Sequence, residues 1–177
     1  NNITVAITST ANAVAVAEHV MFMLLNISKR KNMYDDTVKT GKFNERNKLP
    51  KTIELWKKNV LILGFGRIGK ALIKRFLGFE MNVFVYDPFV NANEVETLGG
   101  KKIENLDKSI KMMDAISLHM PLNENTKNII NYDLLKKMKK NCIIINGLEK
   151  LMKEVGVEII KGHEVKKIVL DNKKITG

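Results

Sequence analysis

One segment, NVLILGFGRIGKAL at residues 59–72, constrains the fold more than any other. An apolar run is followed at once by Gly64, Gly66 and Gly69, and then by residues with a helical pattern. In this spacing the first glycine permits a tight turn, the second lets a pyrophosphate approach the backbone, and the third lets the helix pack on the strand. The N-terminus of the helix offers free N–H groups to phosphates. The segment therefore predicts a dinucleotide-binding turn, with a glycine-rich turn that binds no ligand as the alternative.

The next predicted strand, NVFVY at residues 82–86, ends immediately before Asp87. Asp87 lies 18 residues beyond Gly69 (87 − 69), close to the ~20 residues at which such folds place an acid against a ribose. A carboxylate in this position accepts hydrogen bonds from the ribose 2′-hydroxyl and repels a 2′-phosphate. NAD is therefore favoured over NADP as the cofactor.

Apolar strands and amphipathic helices alternate through the middle of the chain. Helices are predicted at residues 67–79, 94–98, 106–113 and 132–138, and further strands at residues 115–120 and 142–146. Strands of this composition that alternate with amphipathic helices are typical of a parallel sheet covered on both faces. The prediction is an α/β fold with a Rossmann-type, doubly wound parallel sheet. The inner face of the first helix is assigned to Ile68, Leu72, Ile73 and Phe76.

Both ends of the chain differ from this pattern. Residues 13 to about 30 have apolar side chains at helical spacing and nearly all round the helix, so we expect one helix buried between two surfaces. Residues 31–52 are polar, have no strong period and are predicted to be a connection. In the last 30 residues, a helix at 148–155 and a strand at 157–160 precede a hairpin around Asp171 and Asn172. This αββ pattern indicates an appended element.

The charge of the chain does not indicate a nucleic-acid site. The net charge is +11, but 26 of the 30 basic residues are Lys and only four are Arg. Arg provides the bidentate contacts of specific recognition, and the Lys residues are scattered over every predicted element. We therefore expect a solvated basic surface and no nucleic-acid partner.

The single cysteine, Cys142, excludes an internal disulfide and suits a reducing cytoplasm. The most apolar run, residues 11–27, is interrupted by Asn12, Glu18 and His19, so no membrane span is expected. The sequence begins at Asn1 rather than Met, which indicates a fragment.

Four stretches resemble, in order, the D-2-hydroxyacid dehydrogenases: NAVAVAEHVMFMLL, LGFGRIGKAL, VYDP and SLHMPLNENT. That family includes 3-phosphoglycerate, glyoxylate/hydroxypyruvate and D-lactate dehydrogenases, with formate dehydrogenase as a relative. The resemblance covers roughly residues 1–146. It implies an NAD-dependent oxidoreductase of two domains, usually a homodimer, that acts on the CH–OH group of a small 2-hydroxy acid. This chain would hold only part of the NAD-binding domain, so its sheet would be incomplete.

The resemblance also implies roles for individual residues. The helix from Ala13 would cross between domains and help to form the dimer, and Asn12 matches a position that contacts substrate or nicotinamide in the formate dehydrogenase branch. Asp87 would bind the adenosine ribose. The phosphate loop and the nicotinamide side of the cleft would be formed by Gly64, Gly66, Arg67, Ile68 and Gly69, and by His119, Met120, Pro121 and Thr126, respectively.

No catalytic residue and no metal site is predicted. Hydride transfer from a hydroxy acid needs a proton acceptor, and His119 is a candidate for that role. In the family, however, the acid/base is a different His, paired with a Glu, much later in the chain. His119 is therefore interpreted as a cleft-lining residue, with a plain core residue and a catalytic base as alternatives.

The residues after the strand at 142–146 depart from the family. There Asn-Thr-Ala-Arg-Gly would follow the strand, and its Arg would bind the substrate carboxylate; here Asn146 is followed by GLEKLM. The sequence thus predicts NAD binding without catalysis by this chain alone. The alternatives are a catalytically silent NAD-binding or dimerisation module and a chimeric fragment, because the tail is loosely similar to a segment of FAD-dependent amino-acid oxidoreductases. The predicted organisation is a crossing helix with its connection (1–57), a partial Rossmann domain (58–147) and an appended helix plus hairpin (148–177).

Overall fold

Five strands form a parallel sheet in the computed structural model, which describes residues 12–146, 169–171 and 174–176. The strands are β1 (Asn59–Leu63), β2 (Asn82–Tyr86), β3 (Lys101–Lys102), β4 (Ala115–Leu118) and β5 (Ile143–Asn146). Their order is β3-β2-β1-β4-β5, and every neighbouring pair is parallel. The chain therefore builds outward from β1 in one direction and then crosses back to place β4 on its other side. This order confirms the predicted Rossmann-type, doubly wound sheet.

Helices connect the strands and flank the sheet. They are α1 (Ala13–Ser28), α2 (Lys31–Lys39), α3 (Arg67–Gly78), α4 (Ala92–Thr97), α5 (Leu106–Ser109) and α6 (Tyr132–Lys137), with 3₁₀ turns at Phe43–Lys48 and Ile110–Met112. Helices α4, α5 and α6 each begin after an Asn whose side-chain oxygen accepts a backbone N–H of the first turn, the usual cap of a helix N-terminus.

The structure departs from the prediction in two elements. Helix α2 lies in the segment predicted to be a connection. It was not predicted because it buries none of its residues and so shows no apolar period. Strand β3 was not predicted, because it consists of two Lys residues on the edge of the sheet. In addition, β4 ends two residues earlier than predicted, at Leu118. His119 and Met120 therefore belong to the loop beyond the sheet.

The sheet has an apolar cluster on each face, as a doubly wound fold requires. Val60 and Ile62 of β1 contact one cluster together with residues of α1 and α3. Leu61 and Leu63 contact the other, which includes Leu134 of α6. Side chains alternate along the strand, and all four are buried. Strand β1 is apolar on both faces, as its place at the centre of the sheet requires. The glycine turn follows directly from this buried strand.

Helix α1 packs one face on the sheet domain. Val20 and Leu24 are fully buried there, and the helix contacts α3 and β5. Glu18 Oε1 accepts a hydrogen bond from Arg75 Nη2 at 3.1 Å. The bounds of the helix agree with the prediction to within two residues. Among the described residues, no second surface buries the helix as expected, because Val14 is 55% exposed and Phe22 is 57% exposed.

The predicted C-terminal hairpin is present. Strand β6 (Val169–Asp171) pairs antiparallel with β7 (Lys174–Thr176), and Asp171 is opposite Lys174. The two strands form a separate sheet, so the hairpin does not pair with β5. The predicted helix at 148–155, the predicted strand at 157–160 and the turn residue Asn172 lie outside the described residues. Within the described part of the chain, none of the helices has the length and apolar character that a membrane crossing requires.

Candidate functional site

The glycine-rich turn leaves the carboxyl end of β1 and can be formed only with Gly64 at its start. Gly64 has a φ of +92°, and its N–H donates to the carbonyl of Tyr86 at the end of β2 at 3.0 Å. A Cβ at this position would lie 2.9 Å from the carbonyl carbon and oxygen of His119. Backbone conformation and space therefore both require a glycine. The same contact places the loop after β4 directly against the turn.

The other two glycines of the motif have different surroundings. A Cβ on Gly69 would lie 2.6 Å from the carbonyl oxygen of Gly64, so helix α3 packs closely on the turn only with glycine there. Apart from its chain neighbours, no described atom would lie within 4 Å of a Cβ on Gly66, and its φ of −73° is open to any residue. Among the residues that the structure describes, no neighbour requires glycine at position 66 for steric reasons. Open space over Gly66 fits a ligand that approaches the backbone, which is the role that the motif predicts.

The N-terminus of α3 begins at this open space. Gly66 is its N-cap and provides no side-chain cap, in contrast to the Asn caps of α4, α5 and α6. The first N–H groups of a helix have no acceptor within the helix, and with the helix dipole they favour a bound anion. Arg67 is exposed and Ile68 is half-buried, with Ile68 packed against the core. The turn is therefore suited to hold a pyrophosphate.

Asp87, directly after β2, is bound to the turn through its carboxylate. Its Oδ2 accepts the N–H of Phe65 at 2.7 Å, and its Oδ1 accepts the N–H of Phe89 at 2.9 Å. Phe65 lies between the first two glycines, and its ring is buried in the core. Each oxygen retains capacity for a further hydrogen bond, because an ionised carboxylate can accept about four. Asp87 therefore lies at the turn, where an acid for the ribose is predicted.

His119 lies directly beyond β4, with its backbone N–H donating to the carbonyl of Leu63 at 2.8 Å. Its ring Nε2 is 2.6 Å from the hydroxyl oxygen of Ser117, which is 1% exposed. Burial lowers the pKa of His119 to about 4, so the imidazole is neutral at neutral pH. The ring is therefore held against β4 in its uncharged form.

The loop after His119 is closed by Thr126. The Thr126 hydroxyl donates to the carbonyl of Pro121 at 2.5 Å and accepts the N–H of Asn123 at 2.9 Å. Met120 packs against the cluster on the α6 face of the sheet, and Pro121 is exposed. The hydroxyl of Thr126 thus maintains the shape of the loop.

Direct contacts join Gly64 to Gly69, His119 and Met120, and Asp87 is joined to the same turn through the N–H of Phe65. Asn12 is the exposed N-cap of α1, its carbonyl accepts the N–H of Val16 at 2.9 Å, and among residues 12–146 no hydrogen bond joins it to the turn. The part of the chain that the structure describes contains no group of three or more His, Cys, Asp or Glu that could hold a metal ion.

Two residues of the site were not predicted. Ser117 lies two positions before His119 and so projects from the same face of the chain, a signal that was available in the sequence. Phe65 contributes a backbone N–H to Asp87, and the sequence contains no signal for a contact of that kind.

Comparisons with known proteins agree on one family. The model of the D-isomer specific 2-hydroxyacid dehydrogenase NAD-binding domain matches residues 21–156. D-3-phosphoglycerate dehydrogenase of Methanocaldococcus jannaschii is 33% identical over 136 residues, which are 77% of this chain and 26% of the relative. Hydroxypyruvate reductase of Thermotoga maritima is 36% identical over 136 residues, 77% of this chain and 42% of the relative.

A solved structure has the same fold. D-lactate dehydrogenase from Aquifex aeolicus, in complex with NAD and lactic acid, gives a TM-score of 0.71 at 31% identity over 79% of this chain and 41% of that one. Among the curated relatives, this chain spans between 22% and 45% of their length.

Proposed function

Because the chain belongs to the D-isomer specific 2-hydroxyacid dehydrogenases and carries their NAD-binding domain, we propose that the protein transfers a hydride between NAD and a small 2-hydroxy or 2-oxo acid. The observation that carries the cofactor half of the proposal is the open space over Gly66, at the N-terminus of α3. When bound, the nicotinamide ring supplies the hydride chemistry, and the residues of this chain bind and orient the cofactor.

The phosphates are assigned to the glycine turn. Gly64 and Gly69 give the turn its shape, and the backbone at Gly66 and the first N–H groups of α3, at Arg67 and Ile68, donate to the pyrophosphate. The exposed Arg67 adds a positive charge beside the same site. The pyrophosphate is common to NAD and NADP, so the donors that bind it do not select between the two cofactors.

Asp87 is assigned to the adenosine ribose and to the choice of NAD. Its carboxylate lies at the turn and can accept hydrogen bonds beyond those of Phe65 and Phe89. A ribose 2′-hydroxyl can donate to it. A 2′-phosphate in that position would be repelled by the negative charge, so NADP should bind more weakly.

The nicotinamide half of the cofactor is assigned to the loop after β4. His119, Met120 and Pro121 would line it, with Thr126 holding the loop in shape. His119 is not the base of the reaction, because a pKa of about 4 is far below the near-neutral value that suits a general base. The proton acceptor must be provided by another part of the protein.

The substrate site is only partly present in this chain. Asn12 is assigned to the substrate or the nicotinamide, at the start of α1. After Asn146, the residues Gly147, Leu148, Glu149 and Lys150 stand where the family has Thr-Ala-Arg-Gly. This difference favours a second function for the chain as given, a catalytically silent module that binds NAD or dimerises.

Dimerisation is assigned to the outer face of α1. Val14 and Phe22 are more than half exposed on a helix whose other face is buried, and the burial of such side chains is a strong driving force for association. In a homodimer the partner would cover the exposed face of α1, so the helix would be buried between two surfaces as its sequence predicts. The expected location of the protein is the cytoplasm, in keeping with its single free cysteine, Cys142.

The cofactor assignment is tested by titrating the purified chain with NADH and with NADPH, with binding monitored through the fluorescence of the nucleotide. Saturable binding that is tighter for NADH supports it. A folded chain that binds neither nucleotide contradicts it. The same preparation, incubated with NAD and a panel of D-2-hydroxy acids, separates the two functions: formation of NADH excludes the silent module, and binding without NADH formation supports it.

A further inference from the structure

We propose that Asp87 holds the phosphate-binding turn in its binding shape before any cofactor arrives, in addition to the ribose contact assigned above. The inference rests on the proposed NAD binding and deepens it. It makes Asp87 a positioning residue that acts through the backbone of Phe65, as well as a binding residue for the cofactor.

The carboxylate of Asp87 joins two segments that are distant in sequence. Its Oδ2 accepts the N–H of Phe65 at 2.7 Å, across 22 residues of chain, and its Oδ1 accepts the N–H of Phe89 at 2.9 Å. Hydrogen bonds from backbone N–H groups to an ionised carboxylate are about twice as strong as neutral ones. The end of β2 and the glycine turn are therefore held together by a side chain.

Phe65 is the point of the turn at which such a bond has most effect. Its ring is 1% exposed and packs in the core, and the preceding residue, Gly64, donates to the carbonyl of Tyr86 at 3.0 Å. The Gly64 N–H and the buried Phe65 ring thus hold the turn at two points. The bond to Asp87 fixes the Phe65 N–H, which lies between them. Directly after it, Gly66 leads into α3 with open space over its backbone. A turn that is fixed before binding loses less conformational entropy when the cofactor binds.

The variant Asp87→Asn helps to separate the loss of a backbone hydrogen bond from the loss of negative charge. Both oxygens of Asp87 accept a backbone N–H, whereas the side chain of Asn has only one oxygen and presents N–H donors on the other side. Asp87→Asn therefore keeps the size of the side chain but must lose one of the two bonds. Asp36→Asn, at an exposed position on α2, removes the same charge without these contacts and is the matched control.

A ligand with a phosphate but no adenosine ribose distinguishes the positioning role from the ribose contact. Reduced nicotinamide mononucleotide is such a ligand. If Asp87 acted on the ribose alone, Asp87→Ala would leave its affinity unchanged or strengthen it, because a negative charge near the phosphate is removed. A turn that has lost its anchor binds the mononucleotide more weakly. The ribose contact alone thus predicts unchanged or tighter binding of the mononucleotide, whereas the positioning role predicts weaker binding.

The first experiment measures the turn without any ligand, by NMR on the full chain. We expect a through-hydrogen-bond coupling between the Phe65 amide nitrogen and the Asp87 carboxyl carbon in the wild type. Exchange of the Phe65 amide should be about ten- to hundredfold faster in Asp87→Ala, which removes both acceptors, the range expected for losing a hydrogen bond to a charged group. In Asp87→Asn the remaining oxygen can accept only one N–H, so the amide of either Phe65 or Phe89 should exchange faster. Amides in the middle of β1 and the Asp36→Asn control should be unchanged. An absent coupling in the folded wild type, or equal Phe65 exchange in wild type and Asp87→Ala, overturns the proposal.

The second experiment titrates the same proteins with reduced nicotinamide mononucleotide and with NADH. Binding of the mononucleotide should be about three- to tenfold weaker in Asp87→Ala, which cannot hold the Phe65 N–H, than in Asp36→Asn, as the loss of a single hydrogen bond implies. Unchanged or tighter binding overturns the positioning role. If the wild type binds no NADH, the proposed function fails, and the ligand-free amide measurement still decides whether Asp87 anchors the turn.

Discussion

Gly64 and His119 are in backbone contact: a methyl group on Gly64 would lie 2.9 Å from the carbonyl carbon and oxygen of His119. The contact joins the turn after β1 to the loop after β4, on the two sides of the point where the strand order reverses. Ligands of open α/β sheets bind at this point. The turn after β1 and the loop after β4 are therefore held in close contact by a residue that has no side chain.

The Gly64 contact predicts a measurable loss of stability. Gly64→Ala must hold an L-residue at a φ of +92° and also displace backbone, so we expect the free energy of unfolding to fall by about 2–4 kcal/mol. Gly41→Ala is the control, since Gly41 has a φ of +69° but open space around it, and it should cost only about 1 kcal/mol. Urea unfolding measures both. Equal losses in the two variants would show that the contact with His119 has no energetic effect.

Burial of His119 predicts a dependence of stability on pH. Burial lowers the pKa of His119 from 6.5 to about 4. Between these values the unfolded chain binds a proton at His119 that the folded chain does not, so stability falls as the pH is lowered. The loss is at most about 1.4 kcal/mol per pH unit.

Urea unfolding at a series of pH values from neutral to acidic checks this effect. His119→Gln should show a shallower loss of stability in that window than the wild type. His19→Gln, at an exposed position on α1, controls for the removal of a histidine. An unchanged pH profile in His119→Gln would contradict a buried, neutral imidazole.

Asp114 stabilises the end of the sheet opposite the glycine turn, where β1 and β4 begin. Its Oδ2 accepts the N–H of Asn59 at 2.9 Å and its Oδ1 accepts from Lys139 Nζ at 2.7 Å. Asp114→Asn cannot accept both, and the unfolding free energy should fall by about 1–2 kcal/mol. Asp107→Asn removes a more exposed pair with Lys137 and should change it by less than about 0.5 kcal/mol. Chemical denaturation of the two variants side by side decides, and a larger loss in Asp107→Asn would refute this account.

The outer face of α1 predicts self-association. Phe22→Ser should raise the dimer dissociation constant by about tenfold or more, because burial of a large aromatic side chain contributes about 1.5–3 kcal/mol. Phe79→Ser is the matched control, since Phe79 is also exposed but follows α3. Sedimentation velocity over a concentration series measures both. A wild type that stays monomeric throughout, or an equal effect of Phe79→Ser, would exclude a dimer through α1.

The sequence predicted the elements that bury apolar side chains. Strand β1 and helix α3 agree with their predicted bounds to within one residue, because period-2 and period-3.6 burial set their patterns. Helix α2 was missed because it buries nothing. Strand β3 was missed because two Lys residues on an edge carry no strand signal.

The candidate site was predictable where it depends on residue type and not where it depends on the backbone. Gly64 and Gly69 are glycines for steric reasons that the motif states and the structure contains. The bond from Phe65 to Asp87 uses a backbone N–H, which every residue except Pro has, so no side-chain pattern could indicate it. The neutral state of His119 follows from its burial, which is a property of the folded chain.

Filling the open space over Gly66 tests whether the cofactor approaches the backbone there. Gly66→Ala has room in the chain and should fold as the wild type does. Gly78→Ala, at the other end of α3, also has open space around it and is the matched control. The measurement is an NADH fluorescence titration of the three proteins. We expect NADH affinity to fall by about tenfold or more in Gly66→Ala, roughly 1.4 kcal/mol, and to be unchanged in Gly78→Ala. Equal NADH affinity in all three folded proteins would contradict the assignment of the cofactor to this turn.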